Sequence, residues 1–312
     1  MIDTIIFKIA DGAGRVWKHN IPQAQVRRTG ADRYTGNIGN MKILETLDGV
    51  TVAGSVARYL NGENTSALTR ETYAGALRKL EAETGLDLRT AIVRRVDFGA
   101  SIITQKPPAE YLRNFGTLPK YKKGVEYGYC GGIESVTYHT RAGALQFCAY
   151  DKIKEIADGG GTVPELYAGC NVLRMEYRII RRQGVKSKLG NGADITPWQL
   201  AEKETYRNLA GLFHDFYASI PKTGRLVFAD GGKNITPKEL TDILAEAFRQ
   251  TAPQAYRELL QTLFERGRLT EKSMERIKAQ ERKNGQNYVF SDTNALIAEL
   301  DEKAQRRAFT GA

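Results

Sequence analysis

Histidine and cysteine are scarce in this chain of 312 residues, three of each. His19, His139 and His214 stand far apart, and Cys130, Cys148 and Cys170 show no ligand spacing. That argues against a paired-histidine metal centre and against a thiolate zinc site. An odd, patternless cysteine count fits reduced thiols and a cytoplasmic setting, with the thiols as small buried apolar groups. No apolar run approaches the roughly 20 residues that cross a bilayer. The opening Met1-Ile2-Asp3 also lacks the basic segment of a signal peptide. Internal repeats and low-complexity tracts are missing as well.

What the chain does have is positive charge. Forty-six Lys and Arg face 36 Asp and Glu, for a net charge of +10 and a pI near 9.4. Such an excess favours a polyanionic partner, because each neutralised phosphate releases a counterion. No long basic amphipathic helix is present, so a membrane surface is the weaker partner.

Period-two alternation and turn residues predict strands over 2–9, 40–47, 50–60, 90–103, 134–139, 144–151 and 172–181, with Asp48-Gly49 closing a hairpin. Thr69 reads as the N-cap of a helix that Gly85 ends, and Pro107-Pro108 open another ending near Gly116. Residues 117–133 read as a loop with a short strand, and 183–194 as a polar, glycine-containing loop or linker. Thr196-Pro197 begins a long helix, Thr236-Pro237-Lys238-Glu239 a second with a capping box, and others start near Pro253, Thr270 and Ser291. The fold expected is α+β: an antiparallel sheet covered by helices on one face, then a mainly helical C-terminal domain. The domains are placed at 1–182 and 195–312, the second for DNA binding, dimerisation or recruitment of a partner.

Three strands carry the chemistry on their polar sides. Val96, Phe98 and Ala100 leave Arg95, Asp97, Gly99 and Ser101 on the opposite face. Leu145, Phe147 and Ala149 leave Gln146, Cys148, Tyr150 and, by continuation, Lys152. Leu173, Met175 and Tyr177 leave Arg174, Glu176 and Arg178. A solvated sheet face with surface ion pairs is the plain account of each strand alone. Together they offer a set suited to phosphoryl transfer. Tyrosine forms covalent intermediates, and a nearby lysine such as Lys152 favours its phenolate. Carboxylates beside a phosphodiester need a divalent cation between them, so Asp97 and Glu176 are better Mg²⁺ or Mn²⁺ ligands than bases. Glu155 is a third candidate, as ligand or proton acceptor.

At these residues the sequence resembles the gene II/gene X replication initiators of filamentous bacteriophages and, more distantly, the initiators of rolling-circle plasmids. The likeness rests on Met1-Ile2-Asp3, Arg94-Arg95-Val96-Asp97, Glu134-Ser135-Val136-Thr137, Ala149-Tyr150-Asp151-Lys152 with Glu155, and Leu173-Arg174-Met175-Glu176-Tyr177-Arg178. Gly131-Gly132 with Ser135 is a loose counterpart of a plasmid-initiator element. The resemblance spans roughly residues 1–182. It implies nicking of one DNA strand at an origin, a 5′-phosphotyrosyl intermediate, a free 3′-hydroxyl and later rejoining. It makes Tyr150 the nucleophile, Asp97 and Glu176 the metal ligands, and Lys152 and Glu155 supporting residues. Candidate partners are origin DNA that is single-stranded at the nick, a host helicase or polymerase, and a second copy of the chain. The His-hydrophobic-His pair of many related nickases is missing.

His139 is a candidate phosphate contact. Tyr111, Tyr121, Tyr127, Tyr129 and Tyr138, interleaved with Lys120, Lys122 and Lys123, could stack bases. The competing function is a non-catalytic origin- or single-strand-binding protein of the same fold. Catalysis further requires Asp97, Tyr150, Lys152 and Glu176 to converge on one open, electropositive sheet face, with helices near 69–84 and 108–116 on the apolar side.

Overall fold

Val96, Phe98, Ala100 and Ile102 alternate along Ile92–Thr104 with residues of the opposite face, and this pattern makes it the long central strand of the structure, a computed structural model. Residues 2–10, 27–30, 33–63, 68–128, 131–222, 225–228, 236–251, 253–291 and 295–309 are described; Met1, His19, Tyr129 and Cys130 lie outside them.

The strands are β1 (Ile2–Ala10), β2 (Arg27–Gly30), β3 (Arg33–Ile38), β4 (Met41–Thr46), β5 (Gly49–Ser55), β6 (Ile92–Thr104), β7 (Tyr121–Tyr127), β8 (Ile133–Thr140), β9 (Leu145–Asp151) and β10 (Asn171–Ile179). They form one ten-stranded antiparallel sheet in the order β2-β3-β4-β5-β1-β6-β10-β9-β8-β7. The hairpin at Asp48-Gly49 is present. Its second strand is shorter than expected, because Ser55 accepts a hydrogen bond from Arg58 N and caps a helix, α1 (Val56–Asn61). Next comes α2 (Arg70–Thr84), capped by Thr69 and closed by Gly85 at φ 72°. It buries Tyr73, Ala76, Leu77 and Leu80 at helical spacing.

α3 (Pro108–Leu112), α4 (Lys152–Asp158), α5 (Arg182–Leu189), α6 (Pro197–Leu200) and α7 (Lys203–Ser219) follow. Two expectations fail here. The glycine-containing stretch after 182 is helical as far as Leu189, with the expected loop confined to 190–194, and Gly184 serves close packing rather than a turn: a Cβ there would lie 2.9 Å from Ile179 Cγ2. The helix opened by Thr196-Pro197 ends after one turn at Leu200, and a second begins at Lys203.

The rings on the apolar side of the sheet meet α7. Phe98 lies 5.8 Å from both Tyr206 and Phe213, and Phe147 stacks on Phe216 at 5.0 Å.

The chain divides into two compact units: Met1–Arg113, Thr117–Ile220 and Glu299–Ala312 in one, Asn114–Gly116 and Pro221–Ala298 in the other. Residues 182–220 therefore group with the sheet. The second unit holds a two-stranded sheet, β11 (Arg225–Phe228) with β12 (Tyr288–Ser291), and α8 (Pro237–Thr251), α9 (Pro253–Glu265) and α10 (Glu271–Asn287). The capping box at Thr236 is formed: its N–H donates to Glu239 Oε2 at 2.8 Å, and Glu239 N–H returns to Thr236 Oγ1 at 3.2 Å. The last helix is α11 (Ala295–Phe309). No helix among the described residues is long and apolar enough to cross a membrane.

Candidate active site

Residues opposite one another on neighbouring strands share a sheet face, and the register lays out three polar rows. One runs Ser101–Arg174–Tyr150–Ser135–Glu126 across β6, β10, β9, β8 and β7. The next runs Gly99–Glu176–Cys148–Thr137–Gly124, and the third Asp97–Arg178–Gln146–His139–Lys122. Asp97, Tyr150 and Glu176 therefore stand on one face of one sheet, on adjacent strands.

At the centre of this face the Arg174 side chain is wholly buried, with 0% exposure. Its Nε donates to Glu176 Oε1 at 3.0 Å, Nη1 to Ser101 Oγ at 3.1 Å and Nη2 to Asp3 Oδ2 at 2.9 Å. Asp3 also accepts from Ser55 Oγ at 2.5 Å. The planar fork thus joins groups from β1, β6 and β10, which the single point charge of lysine would not do. Gly99 leaves room for it: a Cβ at that position would lie 2.8 Å from Glu176 Cγ and 3.0 Å from Arg174 Nη2. Arg178 donates to Glu176 Oε2 from Nε at 2.9 Å and Nη2 at 2.6 Å. Arg95 grips both oxygens of Asp97, at 2.8 and 2.6 Å. The Tyr150 hydroxyl donates to Glu176 Oε1 at 3.0 Å.

These contacts set the protonation states. Burial alone would raise the Glu176 carboxyl, but Arg174 and Arg178 outweigh it and hold the group down to about 2. Burial raises Asp97 above its ordinary value, against the pull of Arg95. Burial first, then the charge of Glu176, push the Tyr150 phenol well above 10, so the hydroxyl keeps its proton at neutral pH.

Lys152 lies elsewhere than expected. β9 ends at Asp151, whose carboxylate accepts from Ile153 N and Lys154 N and so starts α4. Lys152 is the first residue of that helix rather than a continuation of the strand face. It is fully buried, with Nζ 2.8 Å from Glu155 Oε2 and 6.0 Å from the centre of the Tyr150 ring. Glu155 is thereby paired with Lys152 rather than with Asp97 or Glu176.

Tyr150 is half-buried and lines a groove of about 450 Å³. The groove wall is not electropositive: Glu126, Glu134, Asp151, Glu155 and Asp158 face two cations, Lys154 and Arg178. The acids gather towards α4, where Lys154 bridges Glu134 at 3.3 Å and Asp158 at 3.0 Å. Arg178 sits at the other end, in the row with Gln146, His139 and Lys122.

In this arrangement Asp97 and Glu176 do not fit a divalent cation. All four of their oxygens accept from guanidinium groups. The charges of Asp3, Asp97 and Glu176 are matched by Arg95, Arg174 and Arg178, so no net negative charge remains to draw an ion in. No cluster of three or more His, Cys, Asp or Glu suited to a metal occurs among the described residues.

Sequence reasoning had Arg95, Gly99, Ser101, Arg174 and Arg178 on the right face but read them as surface groups. Asp3 entered only through the resemblance. The available signal was three arginines interleaved with two acids on apolar strands, more charge than a solvated face needs.

No family model matches the chain, and no curated protein sequence matches it. Among solved structures, a rolling-circle replication initiator protein from Geobacillus stearothermophilus is similar with a TM-score of 0.40 and 11% identity, over 77% of this chain and 93% of that one. At that score the likeness carries neither a fold assignment nor an activity.

Proposed function

We propose that this chain nicks and rejoins one strand of DNA, as in the initiation of rolling-circle replication, with Tyr150 as the nucleophile. The observation that carries the reading is the hydrogen bond from the Tyr150 hydroxyl, on the wall of an open groove, to Glu176, a buried, arginine-held carboxylate behind it. Glu176 is too weak a base to store the proton, and its work is to aim the phenol oxygen. That oxygen attacks the phosphorus and the bond from phosphorus to the 3′-oxygen breaks. The phenol proton ends on the departing 3′-oxygen, leaving the 5′-phosphate on tyrosine. The reverse reaction seals the strand.

The other reading is a DNA-binding protein of the same fold that does not cut. Covalent trapping separates the two. The full chain, incubated with single-stranded DNA and both Mg²⁺ and Mn²⁺, is expected to form a denaturation-resistant adduct that maps to Tyr150. Tyr150→Phe is expected to bind DNA and form none. An adduct on another tyrosine, or cutting by Tyr150→Phe at the wild-type rate, overturns the assignment.

A further inference from the structure

Glu176 holds three groups at once: the Tyr150 hydroxyl and Arg174 Nε on Oε1, and the Arg178 guanidinium on Oε2. The nucleophile and a cation are therefore one carboxylate apart and line the same groove. The three arginines of the network differ in placement. Arg174 is wholly buried, and Arg95, as exposed as Arg178 at 27%, spends its fork on both oxygens of Asp97 and is not among the groove's lining residues. Arg178 has 26% of its side chain exposed and lines the groove itself. Its described bonds use Nε and Nη2 for Glu176 and Nη1 for Gln146 at 3.5 Å, three of the five N–H donors of a guanidinium. The other groove cation, Lys154, is pinned between Glu134 and Asp158 at the acidic end.

We propose that Arg178 is the phosphate-binding catalytic residue: its fork takes the phosphodiester that Tyr150 attacks, and Asp97 and Glu176 act as anchors for arginine rather than as metal ligands. The assignment rests on the strand-transfer reading and names the group that receives its substrate. Carboxylates on one edge of a guanidinium fix its plane, and the remaining edge suits the two oxygens of a phosphate. The backbone then arrives along the row Lys122–His139–Gln146–Arg178, where adjacent strands step about 4.8 Å. The four carboxylates at the α4 end, Glu134, Asp151, Glu155 and Asp158, repel it from that helix, so the phosphate stops at Arg178, beside Tyr150. Charge building up on the phosphate oxygens meets a cation already oriented for it, which is where such groups act most strongly.

The test reads binding and chemistry separately. Single-stranded oligonucleotide affinity is measured against salt with the full chain carrying Tyr150→Phe, so that nothing is cut. Adding Arg178→Gln is expected to flatten the slope of log affinity against log salt by about 0.7, the value of one single-strand phosphate contact. Lys154→Gln is expected to leave the slope unchanged. Arg178→Lys, with Tyr150 intact, keeps the charge and the pair with Glu176. It is expected to keep the slope while adduct formation slows by on the order of 100-fold for loss of the fork. Should Arg178→Gln fail to fold, the slope is read on Arg178→Gln with Glu176→Gln, which removes both partners together. An unchanged slope without Arg178, a slope that falls with Lys154→Gln instead, or a wild-type adduct rate in Arg178→Lys overturns the proposal. If Tyr150 forms no adduct but the Arg178 slope effect holds, strand transfer fails and the phosphate contact stands. An adduct on Tyr150 with no slope effect sinks the phosphate contact alone.

Discussion

Replacing Arg174 with methionine keeps most of the side-chain volume and removes three hydrogen bonds at once, to Glu176, Ser101 and Asp3. Two buried carboxylates, each about 4% exposed, then lose their shared cation. Neither is wholly abandoned, since Asp3 keeps Ser55 and Glu176 keeps Arg178. Breaking a buried pair from one side costs about 3–5 kcal/mol, against about 0–1 for a surface pair. Native domains hold only about 5–15 kcal/mol in total, so the loss is a large fraction. In urea, with a slope of about 1–3 kcal/mol per molar, the unfolding midpoint should drop by about 1 M or more at unchanged slope. Adding Asp3→Asn should cost less than the two single changes summed, with a coupling energy above about 1 kcal/mol. A loss under about 1 kcal/mol, or strict additivity with Asp3→Asn, would mean that Arg174 does not hold the centre of the sheet as described.

Acid should release the same network. The Glu176 carboxyl is held down to about 2 from an ordinary 4.5, so its contribution is fully present above about 4.5 and lost as pH falls towards 2. The drop corresponds to about 3 kcal/mol, and Glu176→Gln should lack this part of the pH dependence when unfolding free energies at pH 6 and pH 2.5 are compared. Metal titration bears on the carboxylates from another side. With guanidiniums on all four oxygens, calorimetric addition of Mg²⁺ or Mn²⁺ to the free protein should show no saturable uptake at this site. Saturable binding that vanishes in Asp97→Asn would restore the metal-ligand reading.

Alternation along β6, β9 and β10 placed Asp97, Tyr150 and Glu176 on polar faces, but a period of two says nothing about which strands are neighbours. Pairing between residues as distant as Asp97 and Arg178 becomes visible only in the assembled sheet. Arg174 looked like a solvated arginine because its partner Asp3 lies 171 positions away. The Lys152 error was local, and the residue needed to avoid it was at hand. An aspartate immediately before Lys152 is a good helix N-cap, and the strand pattern was carried one residue too far. Gly184 misled for the opposite reason, since a glycine pressed against a sheet looks the same in sequence as a glycine in a turn. The charge of the groove was not readable from a net charge of +10, because Glu126, Glu134, Asp151, Glu155 and Asp158 gather from four separate elements, β7, β8, β9 and α4.

The distance in sequence between Asp3 and Arg174 also orders events in time. A ribosome adding about 5–20 residues per second finishes β1 roughly 10–30 s before it supplies the arginine that Asp3 awaits. Tyr150 emerges in the interval, ahead of both Arg174 and Glu176. Any nascent or prematurely terminated chain lacking β10 therefore carries the tyrosine without the carboxylate that aims it or the two β10 arginines that hold that carboxylate. On the proposed reading such a fragment is inert, and the cell's DNA meets a cutting tyrosine only after the strand that holds it has been made.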